Sequence, residues 1–447
     1  MSVRRELIEQ ALRGVEAWEA RWGQVPDVPE SRPAVDVAAL LEDYAQRMDA
    51  MVPFFHPRYA GQMLKAPHPV AVAAYLAAMI VNPNNHALDA SQATSPMELE
   101  VVRALGGMFG LPEQALGHLT SSGTIANLEA LWVSRELAPG SAVAYSESAH
   151  YTHGRMCQVL GVETRAVAAQ PDGGIDLEAV EAELVRGGVS TVVLTPGTTG
   201  VAAVDDIRAA LTLKERFGVR LHVDGAYGGF YALLGEHDAF AAIAQCDSVV
   251  VDPHKHGLQP YGCGAVLFAD PSVGRFYKHD SPYTYFTSDE LHLGEISLEC
   301  SRAGAAAAAL WLTLQAVPLE RDRGRGPVLS SCRRAALALA DRLRASEHLQ
   351  LYLEPMLDIV TYWPRRRRMS EVDAASEAVL HRGMGDAEDP IFLSTLRVDA
   401  SAFQALHPEV ERDADSVRVL RSVLMKPEHD AWVDPLHQRL ERLTQEI

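Results

Sequence analysis

The chain has 447 residues, of which 48% are hydrophobic and 22% are charged, so it can bury a large core. Its formal net charge of −19 argues against nucleic acid as a partner, because phosphate binding requires a basic surface. The longest apolar run, residues 70–81, is too short to cross a bilayer. The N-terminal sequence does not have the pattern of a secretory signal, and the five cysteines form no CxxC pair. Together these features predict a cytoplasmic protein.

The first 60 residues are predicted to form a polar helical arm. Prolines interrupt it at Pro26, Pro29 and Pro33, and it has too little apolar surface to build a core of its own. We therefore expect an arm rather than a separate domain.

Residues 61–317 alternate between helices and short apolar strands. The predicted strands cover residues 142–145, 191–194, 219–223, 248–251 and 265–268. The predicted helices cover residues 69–81, 98–109, 124–136, 205–217 and 303–314. Strands that alternate with helices predict an α/β domain with a large, mostly parallel sheet covered by helices on both faces.

Residues 318–447 have a different pattern. After a Gly-Pro break at residues 324–327, a helix is predicted near 328–345, with strands near 349–362, 391–398 and 417–424 and a last helix from about 430. We expect a smaller C-terminal α+β domain.

Lysine is rare in this chain, since only five of its 40 basic residues are lysine. One of them, Lys255, follows the predicted strand 248–251 in the sequence DPHK. A desolvated lysine can lose its proton and attack a carbonyl to form a Schiff base, whereas arginine cannot. Taken alone, Lys255 could equally be a surface lysine just past a strand end.

Three further segments offer groups that suit one phosphorylated cofactor. Ser122, Gly123 and Thr124 open a predicted helix, where hydroxyls and free main-chain amides bind an anion; an ordinary helix cap is the alternative. Asp224 ends the strand 219–223, and a carboxylate there can keep a pyridine ring protonated, as pyridoxal phosphate chemistry requires; an Asx turn is the alternative. Thr198, in the sequence TPGTTG after another strand, adds a hydroxyl.

In this order, the helix start, the strand-end aspartate and the strand-end lysine resemble a fold-type-I pyridoxal phosphate enzyme. More narrowly, they resemble the group II amino acid decarboxylases, which include aromatic amino acid, glutamate and cysteine sulfinate decarboxylases. The resemblance extends to HPRYAG at 56–61, NPNN at 82–85, MELE at 97–100 and VLR at 419–421, and so covers about residues 50–430.

The resemblance implies how the cofactor, pyridoxal 5'-phosphate, is held. Lys255 would attach it covalently, Asp224 would pair with its pyridine nitrogen, Ala226 would lie against one face of the ring and His150 would stack on the other. The residues implied near the phosphate and the ring oxygen are Ser122, Gly123, Thr124, Thr198, Asp252, His254 and Arg302, the last of which could reach the phosphate across a subunit boundary. Asp252 departs from the family, because several relatives have asparagine at this position.

The resemblance also implies the substrate contacts and the assembly. Arg421 would contact the substrate carboxylate, Asn85 and His86 would line the side-chain pocket, and Tyr285 would return a proton to Cα. The polar character of this pocket indicates a substrate with a polar end, such as a phenol or a carboxylate. We expect an aromatic amino acid such as tyrosine, with an acidic one (aspartate, glutamate or cysteine sulfinate) as the alternative. The implied assembly is a homodimer with its sites at the subunit interface.

Other interpretations use the same residues. His150, His153 and Cys157 share one face of a helix and could bind a metal, although no fourth ligand is evident. Another reaction of the same cofactor is also open: a transaminase, a carbon–carbon lyase, or a decarboxylation coupled to oxidative deamination. A catalytically silent scaffold is a further alternative, which the intact set of Lys255, Asp224 and His150 disfavours.

Overall fold

The computed structural model of the chain describes residues 2–26, 28–29, 33–86, 90–278 and 297–447. Its larger sheet has seven strands in the order β1-β7-β6-β5-β4-β2-β3, and all run parallel except β7. The strands are β1 (Leu116–Thr120), β2 (Ala142–Ser146), β3 (Thr164–Val167), β4 (Val189–Leu194), β5 (Arg220–Asp224), β6 (Ser248–Val251) and β7 (Gly264–Phe268).

Helices flank this sheet, which confirms the predicted α/β class. They are α3 (Pro69–Val81), α4 (Thr94–Met108), α5 (Gly123–Leu137), α6 (Thr152–Leu160), α7 (Leu177–Arg186), α8 (Ile207–Phe217), α9 (Asp238–Ala242) and α10 (Gly304–Ala316). Alternate residues of β6 enter different cores: Val249 and Val251 pack in one cluster, and Val250 packs in another. Because both faces of the sheet are buried, its central strands are uniformly apolar rather than alternating.

All five strands predicted for this sheet are present, but the two edge strands were not predicted. β1 contains Gly117 and the polar His118, and β3 has only four residues, of which three are not buried. Edge strands have one neighbour instead of two, so a short or polar sequence suffices there, and such a sequence carries little strand signal.

A second sheet of four antiparallel strands follows in the order β10-β11-β9-β8. Its strands are β8 (Leu349–Leu353), β9 (Ile359–Pro364), β10 (Ser394–Asp399) and β11 (Ser416–Val423). The helices of this region are α11 (Arg325–Ala345), α12 (Met369–Gly385), α13 (Ala400–Leu406) and α14 (Val433–Gln445). The smaller α+β unit is thus confirmed, and α12, which packs against β9, β10 and β11, adds a helix that was not predicted.

The N-terminal arm contains α1 (Ser2–Glu19), which packs against α3, and α2 (Val37–Met48), which has no buried residue. The domain limits at residues 60 and 317 stay predictions, although the seven strands of the larger sheet lie between them. Across the described ranges we find no helix that combines the length and the apolar character needed to cross a membrane.

Candidate active site

A cavity of about 250 Å³ lies where β4, β5 and β6 end and α5 begins. Parallel strands deliver their carboxyl ends to one edge of the sheet, so residues far apart in sequence converge there. The predicted site residues that line this cavity are Ser122, Gly123, Thr124, His150, Asp224, Ala226, Asp252, His254 and Lys255.

Lys255 lies in a tight turn after β6. Its main-chain N–H donates to the carbonyl of Asp252 at 2.9 Å, and the N–H of His254 donates to the carbonyl of Cys263 at 3.1 Å. A Cβ at Gly257 would come within 2.3 Å of Pro253 Cα, so only glycine closes this turn. The turn directs Lys255 Nζ into the cavity, where it lies 2.9 Å from Asp252 Oδ2.

Asp224 faces the same cavity from the end of β5. Its Oδ1 accepts a hydrogen bond from the N–H of Ala226 at 3.2 Å, and its Oδ2 lies 2.9 Å from His153 Nε2. Burial favours the protonated acid, but the hydrogen bond and charge of His153 outweigh it and hold the pKa of Asp224 well below its usual value. Asp224 therefore presents a carboxylate to the cavity.

The helix start has the form of an anion cradle. Ser122 Oγ accepts a hydrogen bond from the N–H of Ile125 at 3.3 Å, so the predicted capping role of this serine is present as well. The first N–H groups of α5, from Gly123 and Thr124, have no acceptor within the helix. A Cβ at Gly123 would lie 2.6 Å from Asp252 Oδ2, so a larger residue would fill the cradle.

His150 lines the cavity together with Tyr151 and Thr152. The N–H of Thr152 donates to its Nδ1 at 3.2 Å, and Thr152 Oγ1 lies 2.7 Å from the same atom. Burial lowers the pKa of His150 below its usual value, so the ring favours its neutral form. With Nδ1 as the acceptor, the neutral ring carries its proton on Nε2.

Thr198 borders a larger adjoining space rather than the 250 Å³ cavity itself. Its Oγ1 instead accepts a hydrogen bond from the N–H of Ala203 at 3.0 Å and closes a turn. The chain bends at Gly197, whose φ of +117° is open only to glycine, and the bend brings Thr195 and Thr199 to the cavity. The smaller cavity is therefore lined by Thr195 and Thr199, and Thr198 borders the larger space beside it.

Arg421 borders a larger adjoining space of about 900 Å³, which shares His150, Tyr151 and Thr199 with the first cavity. Its guanidinium donates to the carbonyls of Gly200 at 2.8 Å and Thr199 at 2.7 Å. These acceptors are neutral, and no salt bridge to Arg421 occurs within the described part of the chain. Its positive charge is thus held in place but not neutralised.

Three predicted residues are not brought to either of these cavities. Arg302 Nη1 lies 2.5 Å from Glu98 Oε1 and donates to the carbonyl of Leu119, and Asn85 donates to Glu98 Oε2. His86 follows Asn85 and borders neither cavity. The buried carboxylate of Glu98 requires partners, and it takes Arg302 and Asn85. Tyr285 lies outside the described residues.

Two groups of the site, Asn127 and His153, were not predicted from the sequence as parts of it. Asn127 lines the cavity and ties the start of α5 together, since its Nδ2 donates to the carbonyl of Gly123 at 2.8 Å. Asn127 lies one helical turn after Gly123, and this spacing in the sequence could have predicted the contact. His153 was considered only as a metal ligand, and its spacing has another explanation, because its Nε2 binds Asp224.

These groups fit pyridoxal phosphate. An amine that can react with an aldehyde, a carboxylate for a ring nitrogen and a helix start open to a phosphate surround a single cavity. Fold and site together define a pyridoxal phosphate-binding enzyme of the α/β class.

Comparisons with known proteins narrow this class. A family model described as the pyridoxal-dependent decarboxylase conserved domain matches residues 24–365, most of the chain. The chain belongs to the pyridoxal-dependent decarboxylase family, as the sequence resemblance predicted. Its cofactor is pyridoxal phosphate, and its reaction is the decarboxylation of an amino acid.

Among curated relatives, the L-tyrosine decarboxylase of Enterococcus faecium is 28% identical over 411 residues, covering 68% of this chain and 66% of that protein. A probable L-aspartate decarboxylase of Pyrococcus furiosus is 27% identical, covering 78% of this chain and 94% of that protein. Among solved structures, mouse CSAD superimposes with a TM-score of 0.81 at 22% identity, with both chains fully covered. The structural likeness supports the fold, and the relatives differ in the substrate that they are named for.

Proposed function

We propose that this enzyme decarboxylates an aromatic L-amino acid such as tyrosine to the corresponding amine. The observation that carries the proposal is the 900 Å³ space beside His150. Its walls include Tyr151, Leu353, Leu396 and Val398, so a flat apolar side chain can be buried there. Similarity to the Enterococcus faecium L-tyrosine decarboxylase supports the same substrate class.

The proposed mechanism assigns the groups around the smaller cavity. When bound, pyridoxal phosphate supplies a protonated ring that takes up the electron pair released as carbon dioxide leaves. Lys255 provides the amine that attaches the cofactor, and Asp252, 2.9 Å away, holds that amine toward the cavity. The carboxylate of Asp224 stabilises the positive charge on the ring nitrogen, and the start of α5 binds the phosphate.

The remaining roles concern the substrate. Arg421 has a positive charge without a carboxylate partner in the described ranges, which suits it to the substrate carboxylate. His150 borders both spaces and is proposed to stack on the ring. Lys255 or Tyr285 is proposed to return a proton to Cα.

An acidic substrate is the second candidate. Arg397 and Arg421 both border the larger space, and either could bind a side-chain carboxylate. Several relatives, including that of Pyrococcus furiosus, are named as probable L-aspartate decarboxylases. Against this candidate, Glu147 and Asp399 border the same space and offset the two arginines.

Carbon dioxide release from the holoenzyme, measured with each common L-amino acid, tests the proposal. We expect kcat/KM to be highest for tyrosine or another aromatic amino acid and at least about tenfold lower for aspartate and glutamate, because the apolar part of the walls suits a ring and the carboxylates of Glu147 and Asp399 disfavour an anionic side chain. The reverse order would replace the aromatic substrate with the acidic one.

We also propose that the enzyme is a homodimer that uses its N-terminal arm. On α2 the apolar side chains of Leu41, Tyr44 and Met48 lie on one face and are 61%, 59% and 46% exposed. Such an uncovered apolar face is typical of a surface that a second copy buries.

The double variant Leu41→Asp/Tyr44→Asp should therefore be a monomer at micromolar concentration, where the wild type is a dimer, because two charges in a buried apolar contact are costly. Sedimentation equilibrium measures this. Gln46→Asp adds a charge to the opposite side of the helix and should leave the dimer intact. A double variant that stays dimeric would exclude α2 from the interface.

A further inference from the structure

His153 lies in the first turn of α6, three residues after His150, and is fully buried. Its Nε2 is 2.9 Å from Asp224 Oδ2. A carboxylate only accepts hydrogen bonds, so Nε2 carries a proton and donates it to this contact. The other oxygen of Asp224 is bound separately by the N–H of Ala226.

The neighbouring polar side chains are committed to other partners. His222, two residues before Asp224, places its Nδ1 2.8 Å from Ser248 Oγ and its Nε2 2.9 Å from Asn127 Oδ1. Lys255 Nζ contacts Asp252. Within the part of the chain that the structure describes, His153 is therefore the side chain that hydrogen-bonds Asp224.

This contact affects where a shared proton resides. A proton between Asp224 and a ring nitrogen can lie on the nitrogen, leaving a carboxylate, or on the carboxyl group, leaving a neutral ring. A donor to the carboxylate stabilises the first arrangement. Burial alone would favour the second, and the hydrogen bond from His153 is the largest contribution that opposes it, ahead of the charges of neighbouring groups.

We propose that His153 is a positioning residue that keeps Asp224 ionised and thereby holds the proton on the ring nitrogen of the bound cofactor. The inference rests on the proposed pairing of Asp224 with that nitrogen. A ring that loses its proton accepts electrons less readily. Removal of His153 should therefore slow the chemical step more than it weakens substrate binding.

The test uses holoenzyme loaded with cofactor labelled with ¹⁵N at the ring nitrogen and measured by solid-state NMR. In the wild type we expect the chemical shift of a protonated ring, and in His153→Leu a shift toward the value of neutral pyridine. His153→Gln, whose amide can donate from nearly the same position, should restore most of the wild-type shift. We expect kcat of His153→Leu to fall by about 10- to 100-fold, as for other partners of functional groups, with KM changed much less.

The controls separate the possible failures. His429→Gln changes a histidine that is also buried but bonds the carbonyl of Pro57 and the N–H of Lys426, away from Asp224, and it should leave the ring-nitrogen shift unchanged. If Asp224→Asn also leaves the shift unchanged, the pairing of Asp224 with the ring fails. If Asp224→Asn alters the shift but His153→Leu does not, the role of His153 alone is refuted. Should His153→Leu not fold, His153→Asn, which is polar but too short to reach Asp224, replaces it with the same expected result.

Discussion

Replacement of Lys255 with alanine is expected to lower kcat by a factor on the order of 10⁴ or more, the scale seen when an enzyme loses its covalent catalyst. The amine at the end of β6 is the proposed attachment point of the cofactor. The variant should also lose the visible absorption band of the lysine-bound cofactor, and borohydride should no longer fix cofactor to the protein.

Two matched variants separate attachment from charge. Lys255→Arg keeps a cation beside Asp252 but cannot release a proton to attack an aldehyde, so we expect it to be as inactive as Lys255→Ala. Lys278→Ala removes an exposed lysine and should retain the wild-type rate and spectrum. An active Lys255→Arg enzyme would show that only the charge is needed.

Replacement of Asp224 with asparagine is the second change expected to have a large effect. The neutral amide cannot stabilise a positive ring nitrogen, and we expect kcat to fall on the order of 10³-fold, comparable to the loss of a key electrostatic contact in other enzymes. Because Lys255 is retained, cofactor should still be fixed by borohydride. This combination distinguishes Asp224 from Lys255.

Asp247→Asn serves as the control for Asp224→Asn. Asp247 is also a carboxylate at a strand terminus, but it binds Lys214 and the N–H of Leu221 away from the cavity. Its replacement should leave kcat within about twofold of the wild type, since substitutions away from the site are usually mild. Equal losses in the two variants would indicate a general effect on folding.

The residues that line the smaller cavity could be predicted because each has a local signal. Ser122 opens a helix, Asp224 ends an apolar strand and Lys255 follows another, and parallel strands bring such ends together. No long-range information was needed beyond the alternation of strands and helices. The family resemblance then supplied the cofactor.

Other residues singled out in the sequence could not be placed in the same way. Arg302 was expected at the phosphate, but it binds Glu98, which is 204 residues away in the sequence. Asn85 is held by the same carboxylate. The spacing of His153 and its neighbours in the sequence suggested a metal site. In the fold His153 instead bonds Asp224, which is 71 residues away in the sequence. Such contacts depend on tertiary packing, which a local sequence pattern does not contain.

Thr198 is a third case. The sequence TPGTTG offers three threonines after one strand, and the choice among them depends on the direction of the chain at Gly197. The positive φ of that glycine turns Thr198 toward Ala203 and leaves Thr195 and Thr199 at the cavity. A backbone angle, rather than a residue type, decides which threonines line the smaller cavity.

The most direct test of amino acid decarboxylation measures the products of one reaction together. Purified holoenzyme is given its best substrate in air, and carbon dioxide, amine, aldehyde and hydrogen peroxide are quantified. Simple decarboxylation predicts equal amounts of carbon dioxide and amine, with neither aldehyde nor peroxide. Aldehyde formed in step with peroxide, or amino acid consumed without carbon dioxide, would contradict it.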